Sequence, residues 1–150
     1  MPRFRMLVLC ALVACLVLPA VPASGAERVE RVIVQKVNDY RAKHGLPRLR
    51  MSKSLMASSD RYSWQQMRGG YFGHSSSIQA SSKYRRLGEV LEWHSGTAAR
   101  PSLAFRTWLR SGGHRAVILD RGFRYVGAGR ASGRFNGRRA TIWTMQFGTR

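Results

Sequence analysis

The chain has 150 residues, of which 26 are lysine or arginine and 7 are aspartate or glutamate, so its formal charge is +19 at neutral pH. This length gives room for one globular domain with one core, and no internal repeat or low-complexity tract is present. The basic residues are dispersed and form no run of five or six, which excludes a basic tail. The charge reflects either a general arginine bias with high solubility or attraction to polyanions.

The N-terminal segment has the pattern of a secretory signal peptide. Arg3 and Arg5 supply a basic start, an apolar stretch follows over residues 6–18, and small residues then offer a cleavage site. The apolar stretch is shorter than the ~20 residues of a membrane span. We therefore predict a secreted protein with a signal peptide at residues 1–26 and a single domain at residues 27–150.

Both cysteines, Cys10 and Cys15, lie inside this leader. The mature domain therefore has no disulfide, and its core must hold by packing alone. The segment that ends at Cys15 also resembles a lipobox, which gives a lipid anchor on Cys15 as the alternative to release; the apolar residues that follow favour release. Loss of Arg3 and Arg5 leaves 24 basic and 7 acidic residues, so the mature charge is +17.

Helical signals dominate the first two thirds of the chain. Apolar residues at helical spacing predict a helix over residues 27–44 that Gly45 ends. A second helix is predicted over residues 53–68, with Ser52 as its N-cap. A short helix is predicted near residues 82–87.

Further helices and then strands are predicted toward the C-terminus. Pro101 fits the first turn of another helix, and Ser111 is a candidate cap for a short helical segment over residues 114–119. Alternating apolar residues predict two strands, over 123–131 and 139–147. The connecting turn, residues 132–137, contains the turn signal Asn-Gly at 136–137. The tryptophans at 64, 93, 108 and 143 are predicted to lie in the core.

The order of these elements indicates an α+β domain. Helices come first and strands last, without the alternation that a parallel sheet with crossover helices requires.

Two histidines and one carboxylate are the candidate functional residues. His74 and His114 each follow glycine and an aromatic segment, and Glu89 lies between them in sequence. Such a set can bind a metal or move protons once the fold gathers it, although the spacing alone does not establish a site. His114 lies in a predicted first helical turn, where the dipole disfavours imidazolium. Glu89 precedes apolar residues, so burial would demand a partner, either an arginine or a histidine. His94 is either a surface residue or a further ligand.

The motifs resemble a known family. Phe72-Gly73-His74, then Gly88-Glu89, then the segment from Trp108 to Arg115 (WLRSGGHR), then an aromatic hairpin, are similar to the bacterial branch of the CAP superfamily. This is the SCP domain of cysteine-rich secretory and pathogenesis-related proteins, and the resemblance runs from Val29 to Gly148.

The resemblance implies an α-β-α sandwich in which two histidines and two acids line one cleft. His74 and His114 match the two histidines, which in the family bind zinc or another divalent metal, and Glu89 matches the first acid. Ser111 stands where the second acid commonly falls. The resemblance therefore gives His74, Glu89 and His114 as the candidate metal ligands and catalytic residues, and the missing acid leaves enzymatic activity open.

Three functions follow as alternatives. The first is a binding module whose cleft takes a lipid or a cell-envelope ligand, which the loss of an acid favours. The second is a metal-dependent hydrolase of peptide or ester bonds. The third is a cationic protein that associates with anionic membranes or wall polymers. No DNA- or RNA-binding motif supports a specific nucleic-acid partner.

Overall fold

The computed structural model describes residues 25–150, with side chains from residue 29 onward. The predicted signal peptide, its predicted cleavage and the alternative of a lipid anchor on Cys15 concern residues that lie outside those described. Within these residues the structure has four helices and one four-stranded sheet. In chain order these are α1 (Gly25–Lys43), β1 (Arg50–Met51), α2 (Lys53–Gly69), β2 (Arg86–Ser95), α3 (Pro101–Arg110), α4 (Gly112–Ile118), β3 (Tyr125–Phe135) and β4 (Arg138–Thr149).

The sheet has the strand order β1-β3-β4-β2. The short β1 runs parallel to β3, and the other two pairs are antiparallel. This arrangement leaves β1 at one edge and β2 at the other. It confirms the predicted α+β class. None of the helices in residues 25–150 combines the length and the apolarity that a bilayer crossing requires.

Helices cover both faces of the sheet. Trp143 of β4 packs in the main core with Ile33 of α1 and Trp108 of α3. Its neighbour Ile142 packs in a second cluster with Met67 of α2. Because consecutive residues of a strand point to opposite faces, α2 lies on one face while α1 and α3 lie on the other. The result is the α-β-α sandwich that the resemblance implied.

The backbone of α2 lies directly on β3 because β3 presents glycines there. A Cβ at Gly127 or Gly129 would collide with backbone atoms of α2. In place of side-chain packing, two serine hydroxyls of the helix donate hydrogen bonds to the strand. Ser59 Oγ donates to the Gly127 carbonyl (3.0 Å) and Ser63 Oγ to that of Gly129 (3.3 Å). The glycines therefore fix the distance between helix and sheet.

The local signals for helix ends are confirmed. The Ser52 hydroxyl accepts from the Leu55 amide and caps the start of α2, and Gly70, in the left-handed conformation, caps its end. Pro101 is the first residue of α3, and Ser111 caps α4.

Three predictions about strands and packing were wrong. Residues 82–87 form no helix; Arg86 begins β2, which pairs with β4 along its whole length. The hairpin turn is only Asn136-Gly137, with φ values of 48° and 80°. This left-handed pair allows a two-residue turn that continues both strands beyond their predicted ends. Trp93 is 46% exposed because β2 is an edge strand, and it packs only partly, against Phe135.

The close contact between α2 and β3 gives a test. We predict that Gly129→Ala lowers the free energy of unfolding by about 3 kcal/mol, because the new methyl group meets helix backbone that cannot rotate away. Gly133→Ala in the same strand is the matched control, since its nearest neighbour would lie 3.8 Å from the new Cβ. Urea denaturation of both variants measures the difference. Equal unfolding free energies in the two variants would contradict this account.

Candidate functional site

Glu89 is positioned by the glycine that precedes it. Gly88 lies against the ring of Phe123, and a Cβ there would come within 2.6 Å of it. The glycine thus lets β2 approach the core closely on the face that carries Phe123. Because side chains alternate along a strand, Glu89 points to the other face, where α2 packs.

The Glu89 carboxylate is buried and bound by three donors. The residue is 8% exposed. Its Oε1 accepts from the Ser75 amide (3.1 Å) and lies 3.1 Å from Nδ1 of His74. Its Oε2 accepts from Nε2 of Gln146 (2.9 Å) on the neighbouring strand β4. A carboxylate can only accept in such contacts, so His74 donates from Nδ1, and in the neutral ring Nε2 carries the free lone pair.

Helix α2 holds the loop that carries His74. The Tyr62 hydroxyl donates to the Gly73 carbonyl (2.6 Å), and the Gly73 amide donates to Oε1 of Gln66 (3.1 Å). Burial raises the pKa of Tyr62 to about 12, and the nearby charge of Glu89 adds to the shift. Tyr62 therefore stays a neutral donor at physiological pH.

His114 completes the cluster from the start of α4. The rings of His74 and His114 have centroids 5.6 Å apart and meet at 64°. Nδ1 of His114 is buried and has no hydrogen-bond partner among the described residues. Burial lowers the pKa of His114, and the neighbouring His74 lowers it further. Because neutral imidazole is the form that binds metals and accepts protons, both remain available to this ring near neutral pH.

His94 and Ser111 do not add ligands to the cluster. His94 is buried on the opposite face of β2, with Nδ1 3.1 Å from Oε2 of Glu92 and Nε2 2.9 Å from the Ala98 carbonyl oxygen. It is neither a surface residue nor near Glu89. Burial raises the pKa of Glu92. The Ser111 hydroxyl accepts from the backbone amide of His114 (3.4 Å) and acts as a helix cap.

A polar cavity lies next to Ser75 and Gln146, two of the residues that bind Glu89. It has a volume of about 200 Å³ and lies between α2 and the loop after His74. Gln146, which is 1% exposed, contributes to its wall, and Oε1 of this side chain is buried without a hydrogen-bond partner in the part of the chain described. The walls also carry serine hydroxyls and one guanidinium. The lining residues are Ser58, Arg61, Tyr62, Gln65, Ser75, Ser76, Ser77, Gln79 and Gln146.

The donor set does not fit a three-ligand zinc site. Both oxygens of Glu89 are engaged by protein donors, so Glu89 orients His74 rather than facing a metal. The two imidazole rings remain as candidate ligands, and their centroids lie 5.6 Å apart. Two rings bound to one ion through bonds of about 2 Å would have centroids roughly 5 Å apart. Within the described residues, no group of three or more His, Cys, Asp or Glu side chains is arranged to hold a metal.

The structure brings together the three residues singled out from the sequence, and it adds others that the sequence did not identify. Ser75, Tyr62 and Gln146 all contact or support the cluster. For Gln146 the sequence offered one signal: side chains alternate along β4, which places Gln146 on the same face as Thr144. Ser75 acts through its backbone amide, for which side-chain type gives no signal.

Comparisons with known proteins identify relatives of the whole domain. A sequence model described as "CAP: Cysteine-rich secretory protein family" matches residues 34–147. The chain is 28% identical over 133 residues to YkwD of Bacillus subtilis, a protein described as uncharacterized, in a match that covers 83% of this chain. The match covers 48% of YkwD, so the chain spans about half the length of the curated relative it matches.

Solved structures share the fold at low identity. An outer surface protein of Borrelia burgdorferi superposes with a TM-score of 0.68 at 16% identity, covering 83% of this chain and 95% of that one. An SCP-domain extracellular protein of Bacillus anthracis gives 0.65 at 19%, covering 87% and 45%. Venom allergen-like protein 4 of Schistosoma mansoni gives 0.59 at 10%, covering 85% and 90%.

The lowered pKa of His114 predicts a pH effect on stability. The unfolded chain takes up a proton near pH 6.5, whereas the folded chain does so only at lower pH. The stability contribution of neutral His114 is therefore complete above pH 6.5 and is lost as the pH falls from there through the lower pKa of the folded state. We expect wild type to lose unfolding free energy relative to His114→Asn between pH 7.5 and 5.5. Urea denaturation at both values measures this, and a constant difference between the two proteins would contradict it.

Proposed function

The chain belongs to the cysteine-rich secretory protein (CAP) family, and we propose that it is an extracellular binding module for a polar cell-envelope ligand. The ligand would occupy the cavity beside Glu89 and contact the exposed edge of His74. The observation that carries this proposal is the polar wall of this cavity, which includes Ser75 and Gln146, two residues that bind Glu89. Hydroxyl, amide and guanidinium groups in such a wall can pair with the hydroxyls and amides of a polar ligand.

Two findings support an extracellular location. The family is named for its secretory members, and the B. anthracis protein with the same fold is described as extracellular. The sequence pattern of residues 1–26 is consistent with export.

The cavity favours a polar ligand over a lipid. Its volume of about 200 Å³ is below the roughly 300–1,000 Å³ of pockets that enclose a drug-sized molecule. Its walls carry hydroxyl, amide and guanidinium groups, which would lose hydrogen bonds to water against an acyl chain or a sterol. Sugars and peptides of an envelope polymer offer the hydroxyls and amides that such walls can pair. One or two units of such a polymer would fit in the cavity, and the rest of the polymer would remain outside it.

A hydrolase is less well supported by the same geometry. A metal-dependent mechanism needs an open metal position and a base beside it. Both oxygens of Glu89 already accept hydrogen bonds, from Ser75, His74 and Gln146, and Ser111 stands where the resemblance places a second acid. What these residues can do is hold the His74 ring in one orientation, with Nδ1 on Glu89. In the neutral ring, Nε2 is then free to accept from a ligand donor.

We predict that a soluble muramyl dipeptide binds the cavity, whereas palmitate does not. Titration of ¹⁵N-labelled protein should move the amide signals of Ser75, Ser77 and Gln146. Arg61→Gln, which removes a guanidinium from the wall, should weaken binding about tenfold or more. Arg31→Gln is the matched control, an exposed arginine on α1. Signal changes confined to other surfaces, or palmitate binding at this cavity, would contradict the proposal.

We further propose that zinc, if it binds the two imidazoles, does so weakly. Two ligands are fewer than the three protein ligands of catalytic zinc sites, so we expect a dissociation constant of about 1 µM or weaker at pH 7.5. Binding should weaken below about pH 6.5, where protons compete for imidazole. Titration calorimetry should show loss of binding in His74→Ala/His114→Ala and retention in the control His44→Ala. Equal binding by wild type and the double variant would show that zinc sits elsewhere.

A further inference from the structure

A second group of charged and polar side chains lies around β1, at the end of the sheet where β3 begins and β4 ends. Two cavities of about 410 and 300 Å³ adjoin there and share Tyr125 and Arg150 in their walls. We call them together the β1-edge groove. Six of its lining side chains are basic: Arg48, Arg50, Lys53, Lys83, Arg124 and Arg150.

Strand pairing gathers these residues from distant parts of the chain. In the parallel pair, Arg50 of β1 lies opposite Tyr125 of β3. The Arg50 amide donates to the Arg124 carbonyl (2.9 Å). The Arg85 amide donates to the Thr149 carbonyl (2.9 Å), which fixes the end of β4 beside them. The basic residues are dispersed in sequence, and backbone hydrogen bonds hold them around one groove.

Two tyrosines form a rigid floor. The rings of Tyr84 and Tyr125 pack edge to face with centroids 5.9 Å apart. The Tyr84 hydroxyl lies 2.6 Å from the Ser52 hydroxyl, and Tyr84 packs on Gly148, where a Cβ would come within 2.5 Å of the ring. The Arg150 guanidinium lies over Tyr125, 4.4 Å from its centroid. Arg150 is thus oriented by stacking before any ligand arrives.

The positive charge of the groove is largely unopposed. Among the acids whose side chains the structure describes, Glu30, Glu89 and Glu92 are buried elsewhere. Asp120 pairs with Arg86, and Asp39 pairs with Arg48 at 2.8 Å. No described acidic side chain pairs with the five other basic residues of the groove. An anion could therefore bind these five groups without displacing an acidic side chain.

We propose that the β1-edge groove binds a linear phosphodiester polymer that carries no aromatic bases. Guanidinium groups offer paired donors that match phosphate oxygens, and two adjoining cavities can take successive phosphates of one strand. A base-bearing strand is a poorer fit because Arg150 already covers Tyr125, so the groove offers no open ring for base stacking.

A membrane surface is also a poorer fit. The exposed large hydrophobic residues of the described chain are Val32, Tyr71, Phe72 and Trp93, and none of them lines the groove. Insertion into a lipid interface draws on such residues beside the basic ones. The groove instead presents basic side chains around the rings of Tyr84 and Tyr125.

The test compares two triple variants of equal charge. The groove variant is Arg50→Gln/Arg124→Gln/Arg150→Gln. The control is Arg31→Gln/Arg106→Gln/Arg138→Gln, which removes exposed arginines from α1, α3 and β4. The probe is a synthetic poly(glycerol phosphate) oligomer, with binding followed by fluorescence anisotropy over a salt series. Thermal melting of both variants checks that each is folded, and single Arg124→Gln and Arg150→Gln variants replace the triple one if it is not.

The groove variant should bind about tenfold more weakly than the control, since it loses three charge-assisted contacts. Its plot of log affinity against log salt should be shallower by about 2, at roughly 0.7 per phosphate contact for a single strand. His74→Ala/His114→Ala should bind the oligomer as wild type does, which separates this surface from the cavity beside Glu89.

Equal weakening in both triple variants would overturn the proposal in favour of diffuse attraction by net charge. Tighter binding of oligothymidylate, polyglutamate or anionic phospholipid vesicles than of the phosphate oligomer, when lost in the groove variant, would overturn the assigned ligand class.

Discussion

The site depends on a carboxylate buried beside the edge of a sheet. Removing Glu89 from water is unfavourable unless donors replace the lost hydration. They come from three parts of the chain: the backbone of Ser75, the ring of His74 and the amide of Gln146. Leaving one such donor unpaired costs about 1–3 kcal/mol, so the loop, the strand and the histidine are coupled through one charge. The orientation of His74 is a consequence of that coupling.

The same face of the sheet explains why the loop reaches Glu89. Gly127 and Gly129 let α2 lie directly on β3, which sets the position of Tyr62 and Gln66 on the helix. These two side chains then bind the backbone of Gly73, one residue before His74. The packing of α2 on the sheet thereby fixes the position of His74. The basic groove lies around β1 and shares no lining residue with the cavity beside Glu89.

The sequence predicted those features that local chemistry controls. Ser52, Pro101 and Ser111 mark helix starts because capping is decided within one turn. The strand β2 was missed because it is stabilised by pairing with β4, more than 40 residues away in the chain. Its edge position also exposes Trp93, which hydrophobicity alone assigned to the core. The gathering of dispersed arginines depends on the same non-local pairing, so composition indicated their charge but not their place.

The central claim is that ionised Glu89 fixes His74 with its proton on Nδ1. The ¹⁵N chemical shifts of the His74 ring, measured at a pH where the ring is neutral, test this most directly because the two tautomers give distinct patterns. The account predicts a protonated Nδ1 and an unprotonated Nε2 in the wild type. A neutral ring that carries its proton on Nε2 would contradict it, since Nδ1 would then face the carboxylate with a lone pair.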